Sequence, residues 1–307
     1  MDLGPSEQPS RTARLRPSES LQSTTEAPIQ YAALSYCWGP PDDAAKQFKT
    51  TRANLSERQA AIVVSETSPV IQDAVKVCKA LGVRYLWVDA VCIIQDETRD
   101  WHREASRMRD VYGSASVTIC ALASSSCTQR FLTEREAGFK VPFTSRVKEG
   151  VHGHLTLRCG TQPEHDYALD NLPILEDFDT TWFTRAWTSQ EHHLSQKLLM
   201  FCKERLYICS ESGTRGEAES FSENIIATPF VATLEDAASR EPLQLDNPLN
   251  REWMDLVTGY SSRYLSDVSD RLPALSGLAS FYQRLLREDD RYLAGTWSND
   301  LHRQLFW

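Results

Sequence analysis

The sequence predicts an α/β protein: a mostly parallel sheet flanked by helices. Three observations predict it. The runs Tyr31–Trp38, Tyr85–Ile94 and Val117–Ala123 are almost unbroken apolar stretches, as expected of strands buried on both faces of a parallel sheet. Two segments between them carry apolar residues at helical spacing. The resulting strand–helix–strand alternation, repeated twice, is the pattern of crossover units. An added β-hairpin region and a C-terminal helical segment complete the predicted architecture.

Residues 1–28 hold Pro, Ser, Thr, Gln and Arg with few large apolar side chains, and read as a disordered leader. Gly39, Pro40 and Pro41 stop the strand Tyr31–Trp38. Residues 42–67 are polar and mixed, with a short strand at Ile62–Val64. Ser68 as cap and Pro69 as first helical residue open a helix. Ile71, Ala74, Val75, Cys78 and Leu81 form its buried face, and Gly82 ends it. The strand Tyr85–Ile94 follows, interrupted only by Asp89.

Asp100 caps a helix that runs to Tyr112, with Trp101, Ala105, Met108 and Tyr112 as its apolar stripe. Ser124–Gly153 is loop-like, and His154–Cys159 alternates as a strand. Thr181–Leu194 reads as a short amphipathic helix or turn. Lys197–Cys202 and Arg205–Ser210 flank Lys203 and Glu204 as a hairpin. Residues 29–211 thus form the core domain, and 212–246 a linker or long loop. In 247–307, three helical faces are predicted to pack on the core. They are marked by Trp253, Leu256, Val257 and Tyr260, by Leu275, Leu278 and Tyr282, and by Leu301, Leu305 and Phe306. The apolar ending Leu305-Phe306-Trp307 predicts that the natural protein continues beyond it.

The formal net charge of −9 over 307 residues argues against a general nucleic-acid binder. There is no apolar run of ~18 residues for a membrane span, and no apolar h-region for a signal peptide. The eight cysteines mostly sit inside apolar runs and read as reduced, buried side chains of a cytoplasmic protein. No Cys/His spacing suggests a metal site.

In parallel sheets, ligands bind beyond the carboxyl ends of the strands. That end gathers Ser35, Tyr36, Cys37, Trp38, Cys92, Gln95 and Asp96, and the helix opening on Trp101 and Glu104. Glu104 is the charged residue nearest the apolar stripe, roughly 60° from its centre. Either it serves a site, or it favours the helix dipole and pairs with Arg103 or Arg107. Asp89 in a buried strand needs a partner, and Arg185 or a ligand would serve.

YAALSYCWG at 31–39 resembles the first signature of the fungal heterokaryon-incompatibility (HET) domain. LWVDAVCIIQD at 86–96 resembles the second, continued by Asp100, Trp101, Glu104, Met108 and Tyr112. RAWTSQE at 185–191 resembles the third. YSSR at 260–263, DRLPALSGLA at 270–279 and YLAGTW at 292–297 resemble the segment that often follows this domain.

The resemblance implies a role in non-self recognition and programmed cell death. It also implies a distant similarity to TIR domains, with their flavodoxin-like fold. Some TIR domains hydrolyse NAD with a helix glutamate that follows a Trp, and here Trp101 and Glu104 are similarly spaced. The implied activity is NAD glycohydrolysis, with NAD as substrate, no cofactor and no metal. Glu104 is the expected catalytic residue, with Glu191 as the alternative. Ser35, Tyr36, Trp38, Asp89, Gln95, Trp101, Arg185, Trp187 and Gln190 are the expected substrate contacts. An ionised carboxylate near the ribose would stabilise the oxocarbenium-like charge that forms as nicotinamide leaves. The competing reading is a non-catalytic death-signalling module. It would act by self-association or by binding other death-signalling proteins, without nucleic-acid or membrane partners.

Overall fold

A computed structural model describes residues 1–5, 11–22, 28–135, 139–157, 180–203, 205–217, 248–286 and 289–305. The strands are β1 (Thr12–Ala13), β2 (Tyr31–Ser35), β3 (Ile62–Val63), β4 (Tyr85–Trp87), β5 (Val117–Cys120), β6 (Phe139–Thr144), β7 (His152–Leu157), β8 (Lys197–Phe201), β9 (Leu206–Ser210) and β10 (Gly213–Gly216), before two short strands near the C-terminus. The longer helices are α1 (Pro69–Ala80), α2 (Thr98–Gly113), α3 (Trp187–Leu194), α4 (Pro248–Ser261) and α5 (Pro273–Tyr282).

The main sheet has the order β10-β9-β8-β5-β2-β4. β8, β5, β2 and β4 run parallel, with Ala33 opposite both Trp87 and Thr118, and Thr118 opposite Leu198. β9 and β10 fold back antiparallel. The chain therefore starts in the interior at β2, steps outward to β4, then returns to the other side for β5 and β8. The strand order reverses between β2 and β5.

Side chains along β2 alternate between two cores, as the two-residue strand period requires. Ala32 and Leu34 join Leu86, Ile119 and the α1 residues Ile71, Ala74, Val75 and Cys78. Ala33 joins Met108 and Tyr112 of α2 and the C-terminal helices. In that second core Trp253, Tyr282 and Trp297 are fully buried, with ring centroids 5.0–5.5 Å apart. α5 approaches closely at Gly277, where a Cβ would fall 2.1 Å from Gln190 Oε1 and 3.2 Å from Arg109 Cβ. No helix among the described residues is long and apolar enough to cross a membrane.

Several expectations are corrected. The described parts of 1–28 are not a disordered leader. Met1, Leu3 and Ala13 are buried in the first core, and β1 pairs with β3. Asp2 is anchored by Arg84 at 2.8 and 3.0 Å. Met1 O accepts from Leu86 N at 2.9 Å, and Asp2 bridges Tyr85, so this segment lies along the outer edge of β4. Composition missed it because a few apolar side chains, the ion pairs of Asp2 and backbone hydrogen bonds dock this short segment.

The strand expected over Tyr85–Ile94 ends at Trp87, because Asp89 turns the chain into a short helix, its Oδ1 accepting from Ala90 N at 2.6 Å. Leu81 is exposed rather than part of the α1 face. The helix expected to start at Asp100 is capped by Glu97, which accepts from Arg99 N. Asp100 lies inside its first turn and accepts from Ile94 N at 2.8 Å. The loop expected over Ser124–Gly153 contains β6, paired with β7. β10 lies inside the expected linker, whose residues 218–246 fall outside the described residues. The third C-terminal helix is a single turn, Leu301–Gln304, and Phe306 falls outside the described residues.

Candidate functional site

A cleft of about 280 Å³ opens beyond the carboxyl ends of β2 and β4, where ligands bind in open parallel sheets. Its floor is Leu34 and Tyr36 at the end of β2, with Trp38 just beyond. The turn after β4 supplies Asp89, Ile93 and Gln95. α2 contributes Trp101, Ala105, Met108 and Tyr112 from its apolar stripe. Arg185, Trp187 and Glu191 come from α3 and the loop before it. Tyr264, Leu265, Ser266 and Asp270, between α4 and α5, close the remaining side.

Glu191 is the buried carboxylate of this cleft. The Ser35 hydroxyl donates to Glu191 Oε2 and accepts from Trp182 Nε1 at 2.7 Å. Ser195 Oγ holds the Glu191 carbonyl at 2.5 Å. Burial pushes the Glu191 carboxyl up to about 7, against the opposing pull of Ser35 and the Arg185 guanidinium. Arg185 donates to Tyr36 O at 2.6 Å. Burial would disfavour its charge, but the facing Cys37, Glu191 and Asp89 hold it above its ordinary range.

Asp89 forms the second acidic point. Its Oδ2 accepts from Trp38 Nε1 at 2.9 Å. Burial raises its carboxyl above the usual range, while the Ala90 amide, Tyr36 and Arg185 pull the other way. Burial, followed by Asp89, pushes the Tyr36 phenol well above its ordinary value. Trp101 and Trp187 meet edge to face, centroids 6.1 Å apart, and Trp187 Nε1 donates to Asp270 Oδ2 at 3.1 Å.

The cleft brings together Tyr36, Trp38, Asp89, Gln95, Trp101, Arg185, Trp187 and Glu191 of the residues expected from sequence. Three others are placed differently. Glu104 is outside the lining and pairs with Arg103 at 3.1 Å and Arg107 at 3.6 Å; its tilt toward the stripe is satisfied by that pairing. Ser35 reaches the site only through Glu191. Gln190 is outside the lining, donates to Pro273 O at 2.9 Å and secures α5.

Sequence reasoning missed Tyr112 and the wall from Tyr264 to Asp270 as site residues. Tyr112 was visible as a stripe position, and Asp270 within a motif. For Tyr264 the decisive fact is tertiary: its backbone pairs with Thr184 and Ala186, beside Arg185.

A family model described as heterokaryon incompatibility protein (HET) matches residues 31–191. That span holds every cleft residue except the wall from Tyr264 to Asp270, and it ends on Glu191. The "Heterokaryon incompatibility protein 6, OR allele" of Neurospora crassa is 23% identical over 209 residues, 57% of this chain. The chain spans 29% of that relative's length. No solved structure matches. With its three signatures assembled around one cleft and the family model covering more than half of its length, the chain belongs to the HET domain family.

Proposed function

We propose that this HET domain is a fungal cell-death effector of heterokaryon incompatibility that hydrolyses NAD to nicotinamide and ADP-ribose, with Glu191 as the catalytic carboxylate. The observation that carries the reading is Glu191 itself: a buried acid on the cleft wall, tuned to about 7 and held by Ser35. The spatial order of the parallel strands, fourth-third-first-second, is that of flavodoxin-like sheets, whose ligand sits at the first/third switch point. This order supports the distant likeness to TIR domains.

In the reaction the bond between ribose C1′ and the nicotinamide nitrogen breaks, and its electron pair stays on nicotinamide. Ionised Glu191 stabilises the positive charge left on the ribose. Water then bonds to C1′, and Glu191 takes its proton. A carboxylate titrating near neutral pH suits both tasks. Of the perpendicular indoles Trp101 and Trp187, one stacks on the ring and the other meets its edge, and Asp89, Gln95 and Arg185 orient the sugar and phosphate.

The test is nicotinamide release from NAD by the purified chain. Glu191→Gln should lose ~10²-fold or more, whereas Glu104→Ala should lose far less, because Glu104 lies outside the cleft lining. Release that survives Glu191→Gln in a folded variant refutes the assignment.

One observation favours a second reading, self-association without catalysis. Every residue of β6 is exposed, Phe139, Val141 and Phe143 among them. A chain that forms oligomers yet releases no nicotinamide at high concentration would support it.

A further inference from the structure

We infer that the cleft selects a flat aromatic cation of the pyridinium class over the same ring without its charge. The inference rests on the NAD reading and defines what the site recognises first. Three carboxyl groups, Glu191, Asp89 and Asp270, line the cleft against one guanidinium, Arg185, which already donates to Tyr36 O. The walls between them are indoles. The Trp38 N–H is given to Asp89 and the Trp187 N–H to Asp270. An indole that donates to a carboxylate gains electron density on its ring face, which strengthens attraction for a cation above it. Trp101 stands at 88° to Trp187, so the two rings form a corner that can receive one flat ring.

Size agrees with this. About 280 Å³ sits just below the ~300–1,000 Å³ range of sites for drug-sized ligands, which suits one ring and its sugar better than a whole dinucleotide. The charge also gives the site a direction. Nicotinamide is a cation while it is bound to ribose and neutral once released, so cleavage removes the feature that holds it, and the product leaves.

The experiment uses the full chain and two small probes, 1-methylnicotinamide and nicotinamide, followed by tryptophan fluorescence and calorimetry. The cation should bind at least about tenfold more tightly. Asp89→Asn should erase most of that preference. Trp101→Leu, in a partly exposed position, gives a second route should Asp89→Asn fail to fold. Equal affinities, or no saturable binding of either probe, overturn the inference. A cation preference without NAD cleavage would refute the reaction and keep the recognition; NAD cleavage without the preference would do the reverse.

Discussion

Ser35 Oγ donates to Glu191 Oε2 while accepting from Trp182 Nε1 at 2.7 Å. The last residue of β2 thus orients an acid 156 positions away in sequence and lowers its proton affinity against the effect of burial. This hydroxyl favours the ionised carboxylate, because it has a proton to give and none to take.

Ser35→Ala should therefore raise the Glu191 pKa. If activity requires the ionised form, nicotinamide release rises with pH through about 7, and the variant's rising limb should move to higher pH. A merely structural Ser35 would lower the rate at every pH and leave the limb in place. A pH–rate profile of kcat/KM for the two proteins separates these outcomes.

Glu191 also links stability to pH. Its folded pKa, about 7, lies above its ordinary value of 4.5. The stabilisation from the protonated form is complete below about 4.5 and is lost as pH rises through about 7. Glu191→Gln cannot ionise. The difference between the two proteins, from urea unfolding at pH 4.5 and pH 8, should change by about 3 kcal/mol in favour of the variant. Parallel pH dependence would contradict the buried placement of the carboxyl.

Gly277→Ala should destabilise by about 1–3 kcal/mol, the usual cost of overpacking, because its Cβ would fall 2.1 Å from Gln190 Oε1. Gln190→Ala in the same chain should recover part of the loss, since it removes the obstructing atom. Thermal unfolding of both single variants and the double variant measures the coupling. Full additivity would mean that α5 does not seat on Gln190.

Asp2 gives a test at the other end of the chain. Burial opposes its charge, but the Arg84 fork and the Gly4 amide win and hold the carboxyl below 3.8. Asp2→Asn should cost about 1–2 kcal/mol at pH 7, discounted because Arg84 is half exposed. The stabilisation is present above about 3.8 and is lost as pH falls through the lower folded value, so parent and variant should converge in acid. Chemical denaturation at pH 7 and pH 3 would show whether they do.

The repeated strand–helix–strand core was legible because apolar runs and helical stripes are local signals. So were Tyr36, Trp38, Asp89, Gln95 and Trp101, which sit just past a strand end or on the buried stripe of α2, while Arg185, Trp187 and Glu191 were marked by the third signature. Glu104 misled for a physical reason. Position on a helical wheel reports an angle to the core, while the partners that satisfy the charge, Arg103 and Arg107, lie on the same helix. Glu191 is the converse: Ser35, which holds its carboxylate, comes from β2, 156 positions away, and no periodicity foretells that meeting. The docking of Met1–Leu3 stayed hidden because composition averages over a stretch in which only a few side chains matter.

That docking has a consequence for assembly. The backbone of Met1–Leu3 occupies the hydrogen-bonding rim of β4, and a capped rim cannot serve as a template for another chain. Among the described residues, the outer strand at the other end of the main sheet, away from the cleft, is β10. Joining two copies through that one strand would use up the open rim of each, so the contact would close as a pair and could not propagate into a filament.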